Sequence, residues 1–374
     1  MIDTKIIALY LPQFHCIPEN DEFWGKGFTD WVTVKKAKPL FRGHNVPRVP
    51  LNNNYYDLSI KEHVAWQAKL AKDHGIYGFG IYHYWFNNEK NLLTKPSEII
   101  RDNKDIDINY FFVWDNCNWK RSWSNVSGNA WAPIADVGPN KDKDDSPQIL
   151  IPHILGGEKD WENHYNYVRN HFMEDRYIKL NNKPVFSIIN YNENIQQMCD
   201  FWDKLAKNDG FAGIHFIFKY SLNKVFTTNY NCYNYQPHFS AWEHTPFLYK
   251  CVNYAKRKLG IQFKYMTYDY DYVWKKLIKY YKKECPPHVY PGAFISYDDS
   301  PRRGNQGSRI FVNFTIDKFQ YYFNELYVTA RVTNKEFIFF TAWNEWGEGA
   351  YLEPDNENQY DCLNIIKHIV ENNE

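Results

Sequence analysis

Residues 336–349 read EFIFFTAWNEWGEG, and this stretch decides the fold because it joins two patterns that belong to one architecture. Its first half is apolar on successive residues, which is typical of a strand covered on both faces in a parallel sheet. The apolar run then gives way to Trp343, Asn344, Glu345 and Glu348. A buried parallel strand that ends in polar and acidic side chains is the arrangement in which barrel enzymes carry a site.

Six further runs share the apolar pattern, and a seventh is weaker. The six span residues 5–11, 78–84, 110–114, 184–190, 214–220 and 292–297, and the weaker run spans 231–235. Helical patterns lie between them, at 160–173, 194–209, 268–283 and 358–371 among others. Ser59 and Glu62 have the spacing of a capping box ahead of a helix that Gly75 would end, and Thr315 is placed to cap another. Alternating strands and helices predict βαβ units.

Seven or eight such units, with no change in amino-acid composition along the chain, predict a single catalytic domain over residues 1–374. The predicted fold class is α/β, a (β/α)8 TIM barrel with long loops on its C-terminal face, in preference to a doubly wound sheet. The segments 16–58 and 125–152 are the most loop-like, and each follows a predicted strand. The first and last strands of such a barrel should pair in parallel, here residues 6–11 with 337–342.

The composition excludes several classes of partner. The chain has 374 residues, with 44 Lys and Arg against 44 Asp and Glu, and this neutrality argues against nucleic acid or an anionic membrane surface. No apolar run approaches a membrane span, and the first residues lack the basic segment and cleavage site of a signal peptide. Seven scattered Cys without a CxxC pair argue against a zinc site and indicate a reducing compartment. We therefore expect a cytoplasmic protein, and we infer no protein partner.

Aromatic residues mixed with His, Asn, Arg and carboxylates follow five of the predicted strands. Because the carboxyl ends of barrel strands meet at one face, these side chains are expected in one pocket. Trp and Tyr rings suit stacking against sugar rings as well as core packing. The alternative interpretation is that polar residues occur there only because loops begin there. It accounts for one or two of these segments but not for all five. The candidates to line a sugar site are Tyr10, Gln13, His15, Tyr82, His83, Trp85, Trp114, Asn116, Trp119, Arg121, Asp298, Trp343 and Asn344.

Glu345 and Glu348 are the sharpest catalytic candidates. They are three residues apart, and Gly347 and Gly349 free the backbone to turn there. A glycosidase needs two carboxyl groups, one to protonate the leaving oxygen and the other to act as nucleophile or base. Two acids held close also separate each other's pKa values, which leaves one protonated near neutral pH. The spacing alone leaves open a solvated or structurally hydrogen-bonded pair.

Other chemical patterns are weaker. Asp298 and Asp299 with Arg302 and Arg303 could bind a phosphate or pair internally, and internal pairing is the better interpretation. Acidic DxD triplets, which hold a metal and a nucleotide-sugar in many glycosyltransferases, occur at 105–107, 142–144 and 269–271, a number close to chance in a chain this rich in Asp. The chain has neither a dinucleotide-binding GxGxxG nor a phosphate-binding GxxxxGK[ST] pattern. We therefore predict no metal and no cofactor.

Several segments together resemble a known family. Residues 10–15 read YLPQFH, 20–29 read NDEFWGKGFT, 36–43 read KAKPLFRG, 82–87 read YHYWFN, and 343–349 read WNEWGEG, followed by LEP at 352–354. They are similar to the WbsX-type proteins of bacterial surface-polysaccharide loci, which belong to the family 99-like glycoside hydrolases. The resemblance covers residues 6 to about 355 and implies a (β/α)8 barrel.

The resemblance also implies roles for the acid pair. In the related endo-α-mannosidases of glycoside hydrolase family 99, a similar segment after the last strand carries both catalytic acids. Glu345 would be the base that assists the sugar's own 2-hydroxyl in attack on C1, and Glu348 the acid that protonates the departing oxygen. The implied route is retaining, through a 1,2-anhydro sugar. Similar family segments read WANENW where residues 114–119 read WDNCNW, so a carboxylate is absent at Cys117 and Asp115 is extra.

The predicted function is therefore that of a glycoside hydrolase that cleaves an α-glycosidic bond in a bacterial polysaccharide or its precursor, with an oligo- or polysaccharide as its partner. One alternative is a glycosyltransferase in O-antigen, lipopolysaccharide or capsule biosynthesis. The absence of a nucleotide-sugar pattern argues against it, whereas the absence of a signal peptide fits synthesis better than scavenging. The second alternative is a non-catalytic glycan-binding barrel, against which the presence of both glutamates argues.

Overall fold

The computed structural model describes residues 3–120, 149–220, 228–230, 233–236, 244–259, 264–305 and 307–373. Its centre is a ring of eight parallel strands, labelled here in chain order. They are β1 (Lys5–Tyr10), β2 (Gly78–Asn87), β3 (Asn109–Trp114), β4 (Lys183–Ile188), β5 (His215–Tyr220), β6 (Tyr233–Tyr235), β7 (Val289–Tyr290 and Gly292–Ala293) and β8 (Phe337–Phe340).

The sheet returns on itself and so forms a (β/α)8 barrel. Each strand from β1 to β6 pairs in parallel with the next. The first segment of β7 pairs with β6 and its second segment with β8, on either side of Pro291, which has no N–H to donate to a ladder. Strand β8 pairs in parallel with β1, with Ile338 opposite Ile6. The predicted pairing of the first and last strands is confirmed.

Eleven helices surround the ring within the described residues. They are α1 (Pro18–Trp24), α2 (Asp30–Lys36), α3 (Lys61–Asp73), α4 (Lys95–Asp102), α5 (Glu158–Phe172), α6 (Glu193–Asn208), α7 (Phe247–Lys258), α8 (Tyr270–Lys283), α9 (Ser300–Arg303), α10 (Ile316–Val332) and α11 (Asp361–Glu371). Short antiparallel strand pairs lie outside the ring. Two of them are Trp119–Lys120 with Ile149–Ile151 and Asn344–Glu345 with Ala350–Tyr351. Among the described helices, none has the length and apolarity needed to cross a membrane.

The apolar runs became strands because both of their faces are covered. From Ile6 to Tyr10 every residue of β1 is buried, and so is every residue of β8. One boundary differs from the prediction: the seventh strand begins at Val289 and ends at Ala293, whereas residues 294–297 are buried in a loop. An apolar run indicates that a segment is buried. A buried loop at the barrel mouth has the same apolar pattern as a buried strand, so the run alone does not show where the strand ends.

The helix starts follow local hydrogen bonding. Thr315 caps α10 as predicted, because its hydroxyl accepts from the N–H of Lys318. Ser59 does not cap α3. Its hydroxyl donates to Asp57 instead, and Ile60 occupies the N-cap position. The predicted capping box is therefore wrong, although the helix itself begins next to the expected residue.

Candidate active site

Both candidate acids lie on a tight hairpin at the C-terminal end of β8. Glu345 ends the short strand Asn344–Glu345, the turn Trp346–Glu348 is one turn of 3-10 helix, and the chain returns as Ala350–Tyr351. Gly349 has φ 55°, a left-handed backbone that glycine adopts without strain. This reversal turns the carboxyl groups of Glu345 and Glu348 toward the same neighbour.

That neighbour is Arg302, at the end of the short helix α9. One of its terminal nitrogens lies 2.7 Å from Oε1 of Glu348, and the other lies 2.5 Å from Oε1 of Glu345 and 2.7 Å from Oδ2 of Asp30. All four side chains are buried. The predicted internal pairing is present for Arg303, which binds Asp299 at 2.9 Å, whereas Arg302 pairs with Asp30 and the two acids instead. One guanidinium therefore serves three carboxyl groups.

Gly347 makes room for this arrangement. A Cβ at this position would lie 2.6 Å from Nε of Arg302 and 3.0 Å from its Cζ. Both distances are shorter than ordinary van der Waals contact, and the guanidinium cannot retreat without leaving its carboxylates. The glycine thus lets Arg302 pack flat against the turn that carries both acids.

The surroundings favour the protonated form of one acid. Burial raises the pKa of Glu345 well above its usual range, and the nearby charges of Glu348 and Asp30 raise it further, while Arg302 opposes them. Removing a carboxylate from water disfavours its charged form, and one arginine compensates only part of three negative charges. The structure therefore provides a buried carboxyl group with a raised proton affinity beside a second one.

Two tyrosines of β2 lie within electrostatic reach of the acids. Burial together with the charges of Glu345 and Asp115 raises the pKa of both Tyr82 and Tyr84, and Glu348 adds to the effect at Tyr82. Gln13, in the loop after β1, donates to the Tyr84 hydroxyl over 2.8 Å. The influence of Glu345 on both hydroxyls places these rings near the acid pair.

A third carboxyl group follows β3. The backbone N–H of Asp115 donates to the carbonyl of His83, and burial raises the pKa of the Asp115 side chain against a hydrogen bond from Cys117. Trp119, four residues on, meets Tyr84 edge-on with 5.5 Å between ring centroids. Asp115 and Trp119 thus border the same pocket as Tyr82 and Tyr84, on the side where this chain departs from the similar family segments.

Three predicted sugar-binding residues face the helical layer instead. His83 contacts His164 of α5 with 2.8 Å between their Nε2 atoms, and the ring of Trp85 stacks on that of His164 with centroids 4.5 Å apart. Trp114 packs against the same histidine at 4.9 Å. Successive residues of a strand point to opposite faces, so Tyr82 and Tyr84 face the pocket while His83 and Trp85 face outward.

Two predicted asparagines bind backbone. Asn344 accepts from the N–H of Leu11 at 2.7 Å and donates to its carbonyl at 2.9 Å, which ties the end of β8 to the loop after β1. Asn116 makes the same double contact with the backbone of Asn190, between the loops after β3 and β4. Both side chains hold loops of the barrel mouth in register.

Four other predicted residues are engaged elsewhere. Asp298 lies behind the hairpin, where it binds Nε2 of His44 at 2.8 Å. Burial alone would raise the pKa of Asp298, but the bond from His44 and the charge of Arg48 outweigh it and hold that pKa below its usual range. Tyr10 donates to Gln67 of α3. His15 and Trp343 are buried, and burial lowers the pKa of His15. Arg121 lies outside the described residues.

The prediction missed Asp30 and Tyr84 and did not assign Arg302 to the site. Tyr84 carried a signal, because it is two residues from Tyr82 and shares its face of the strand. Asp30 carried none, since its contact with Arg302 joins positions 272 residues apart. In the part of the chain that the structure describes, no group of three or more His, Cys, Asp and Glu is arranged to hold a metal ion.

Comparison with protein families and curated proteins gives a consistent assignment. A family model described as "Glycosyltransferase WbsX" matches residues 6–366. WxcX proteins from two strains of Xanthomonas campestris pv. campestris, both described as uncharacterized, are 28% identical over 384 aligned positions. The alignment covers 99% of this chain and 50% of each relative. The chain therefore spans about half the length of the curated relatives it matches.

Solved structures share the fold at low sequence identity. A glycoside hydrolase-like protein aligns with a TM-score of 0.56 and 13% identity, over 99% of this chain and 94% of that one. The family 99 endo-α-mannosidase from Bacteroides thetaiotaomicron aligns with a TM-score of 0.54 and 13% identity, over 100% of this chain and 98% of that one. The chain thus shares its barrel fold with these solved structures.

Proposed function

This chain belongs to the WbsX family, and on that premise we propose that it is a glycoside hydrolase that cleaves an α-glycosidic bond in a bacterial polysaccharide or its precursor. The observation that carries the proposal is the pairing of Glu345 and Glu348 around one buried guanidinium, near the tyrosines of β2. Two carboxyl groups near aromatic side chains supply the acid, the base and the stacking surface that glycoside cleavage requires. We further propose that residues 1–374 act as one catalytic domain.

The proposed route is retaining and uses the substrate's own 2-hydroxyl. Glu345 takes the proton of that hydroxyl as O2 attacks C1, and Glu348 gives its proton to the glycosidic oxygen as the bond from C1 to that oxygen breaks. A 1,2-anhydro sugar results. Water then opens it at C1 while Glu348 accepts the water's proton and Glu345 returns one to O2. Atoms and protons balance over the two steps, and no metal takes part.

The raised pKa of Glu345 sets a condition on this division of roles, because Glu345 must lose its proton before it can act as the base. A base with a raised pKa binds a hydroxyl proton more strongly than an ordinary carboxylate does, at the cost of a smaller ionised fraction at a given pH. Arg302 engages Oε1 of each acid. Arg302 thereby holds the two carboxyl groups in place relative to each other.

The family description favours a second candidate, a glycosyltransferase of surface-polysaccharide assembly. Both candidates would act on saccharides, and they differ in the acceptor and in the need for an activated donor sugar. A hydrolase transfers the sugar to water and needs no donor. A transferase would be inactive without a sugar nucleotide or a lipid-linked sugar.

The test is a product assay on a panel of α-linked oligosaccharides, including α-mannosides, and on bacterial surface polysaccharides, with and without EDTA and added sugar nucleotides. We expect reducing-end release that needs neither metal nor sugar nucleotide. Glu345→Gln and Glu348→Gln should each lower kcat by about 10²–10⁴-fold, because Gln keeps the shape and loses the proton. Glu325→Gln, on the outer helix α10 in an ion pair with Lys282, is the matched control and should retain activity.

Three results would redirect the assignment. A 2-deoxy version of the cleaved substrate should bind without turnover, and its cleavage at the normal rate would contradict 2-hydroxyl participation. Strict dependence on a sugar nucleotide would identify the transferase. Tight glycan binding with no turnover, unchanged by either glutamine variant, would identify a binding barrel.

A further inference from the structure

A buried hydrogen-bond network lies directly behind the hairpin that carries the acids. At its centre is Glu353, which is 3% exposed and lies five residues after Glu348. Its Oε1 accepts from the side-chain amide of Gln67 at 2.6 Å. Its Oε2 accepts from the Tyr56 hydroxyl at 2.8 Å and from the indole N–H of Trp346 at 2.6 Å. Gln67 in turn accepts from the hydroxyl of Tyr10 at 2.7 Å.

This network joins the turn to independent parts of the barrel. Tyr10 ends β1, Gln67 lies on α3, and Tyr56 belongs to the loop before α3. Trp346 directly follows Glu345, and its ring is also stacked on that of Tyr351 with centroids 3.7 Å apart. The indole is thus held on its face by packing and at its nitrogen by a carboxylate, which fixes its position and its rotation.

We infer that Glu353 is a positioning residue for the acid pair: its carboxylate holds Trp346, and through that residue the turn that carries Glu345 and Glu348. The inference rests on the proposed function and deepens it. Among the residues that the structure describes, the Glu353 side chain bonds to Trp346 and to neither acid, so it acts through the indole.

The chemistry of the network requires a carboxylate. Gln67, Tyr56 and Trp346 all present donors, and an ionised carboxyl group offers only acceptors. A glutamine would place an N–H2 group against one of these donors and leave a buried polar group unsatisfied, which costs about 1–3 kcal/mol. Burial raises the pKa of Glu353 to about 7, although hydrogen bonding by Trp346, Gln67, Tyr56 and Trp343 opposes this shift. The titratable groups that face it are Tyr10 and Tyr56. Burial raises the pKa of each hydroxyl well above its usual range.

The first test needs no substrate. In ¹⁵N-tryptophan-labelled protein, the indole resonance of Trp346 is assigned by its loss in Trp346→Phe. We expect a proton shifted downfield by the charge-assisted hydrogen bond, which moves upfield as pH falls through about 7 and is displaced at all pH values in Glu353→Gln. Tyr56→Phe removes one donor and keeps the carboxylate, so its displacement should be smaller. An indole resonance that is the same in Glu353→Gln and in the wild type would overturn the inference.

The second test separates positioning from simple stability. On the glycan that the panel identifies, Glu353→Gln should lower kcat by up to about 10²-fold with KM changed less than about threefold, because a displaced acid slows the reaction and not the binding. The matched control is Asp209→Asn, which removes a carboxylate that accepts from Tyr165 in the helical layer. Equal kcat in Glu353→Gln and Asp209→Asn, at temperatures where both are folded, would refute positioning. If no glycan is cleaved, the proposed function fails, while the indole resonance still decides whether Glu353 holds the turn.

Discussion

Replacing Arg302 with Gln should raise the pKa of Glu345 and shift the acid limb of any activity it controls. In the wild type the guanidinium lies 2.5 Å from Glu345 and 2.7 Å from Glu348, and it is the main influence that holds the pKa of Glu345 down against burial. Glutamine retains hydrogen-bonding capacity but removes the charge. The two acids and Asp30 would then share a buried site with no compensating cation.

The direction of the pKa change follows from the distances. A cation at these distances favours the ionised form of a carboxyl group, so its removal should raise the pKa of Glu345 further. Breaking a buried ion pair also costs about 3–5 kcal/mol of stability. In the variant the folded-state pKa lies further above the unfolded value, so stability is retained at low pH and lost as pH rises. Destabilisation should therefore be larger at pH 8 than at pH 5.

The pKa is measured by carbon NMR on protein labelled at the glutamate carboxyl carbon, with Glu345 assigned by its loss in Glu345→Gln. Urea unfolding at pH 5 and pH 8 gives the stability, and kcat/KM against pH on a cleaved glycan gives the catalytic consequence. Arg303→Gln is the matched control, because Arg303 is the next residue of α9 and pairs with Asp299. A Glu345 titration that moves by less than about half a unit, or equally in the control, would refute the electrostatic role assigned to Arg302.

Three further outcomes are expected. Gly347→Ala should lower stability by about 1–3 kcal/mol and raise the pKa of Glu345 as Arg302→Gln does, since its Cβ would lie 2.6 Å from the guanidinium; an unchanged carbon titration would contradict this. Asn344→Leu should cost about 1–3 kcal/mol for each of the two buried backbone groups it orphans, measured by urea unfolding. Burial lowers the pKa of His83 to about 3, so its neutral form stabilises the fold above pH 6.5 and the wild type loses about 1.4 kcal/mol per pH unit, relative to His83→Phe, as pH falls from 6.5 toward 3. A constant stability difference between these two proteins over pH 7 to 5 would show that the histidine is not buried neutral.

The barrel was predictable because its strands are covered on both faces. Runs such as 5–11 and 336–342 are continuously apolar, and even the weak run at 231–235 corresponds to β6. Parallel strands must be joined by crossover connections, so the order of the strands along the chain limits which of them can pair. The ends of strands were less predictable, as β7 shows, because apolar residues continue beyond the ladder into a buried loop.

The segments that contribute to the pocket could be predicted from the sequence. Which of their side chains point into it was harder to predict. Tyr82 and His83 are adjacent in sequence, yet one faces the acids and the other faces α5. The two-residue period of a strand separates them, so this part was available from the sequence. The pairing of Arg302 with Asp30 was not, because it depends on how two short helices that are far apart in sequence, α2 and α9, pack together.

The junction of β8 with β1 has a consequence for biosynthesis. The ribosome adds about 5–20 residues per second, so roughly 20–70 seconds separate the emergence of Lys5 from that of Phe340. Throughout that interval one edge of β1 has no partner, and an apolar strand with open N–H and C=O groups is a template for aggregation. The nascent chain should therefore depend on chaperones that shield this edge. It should also lack activity until Glu345 has been translated, because that residue is made after the strand that closes the ring.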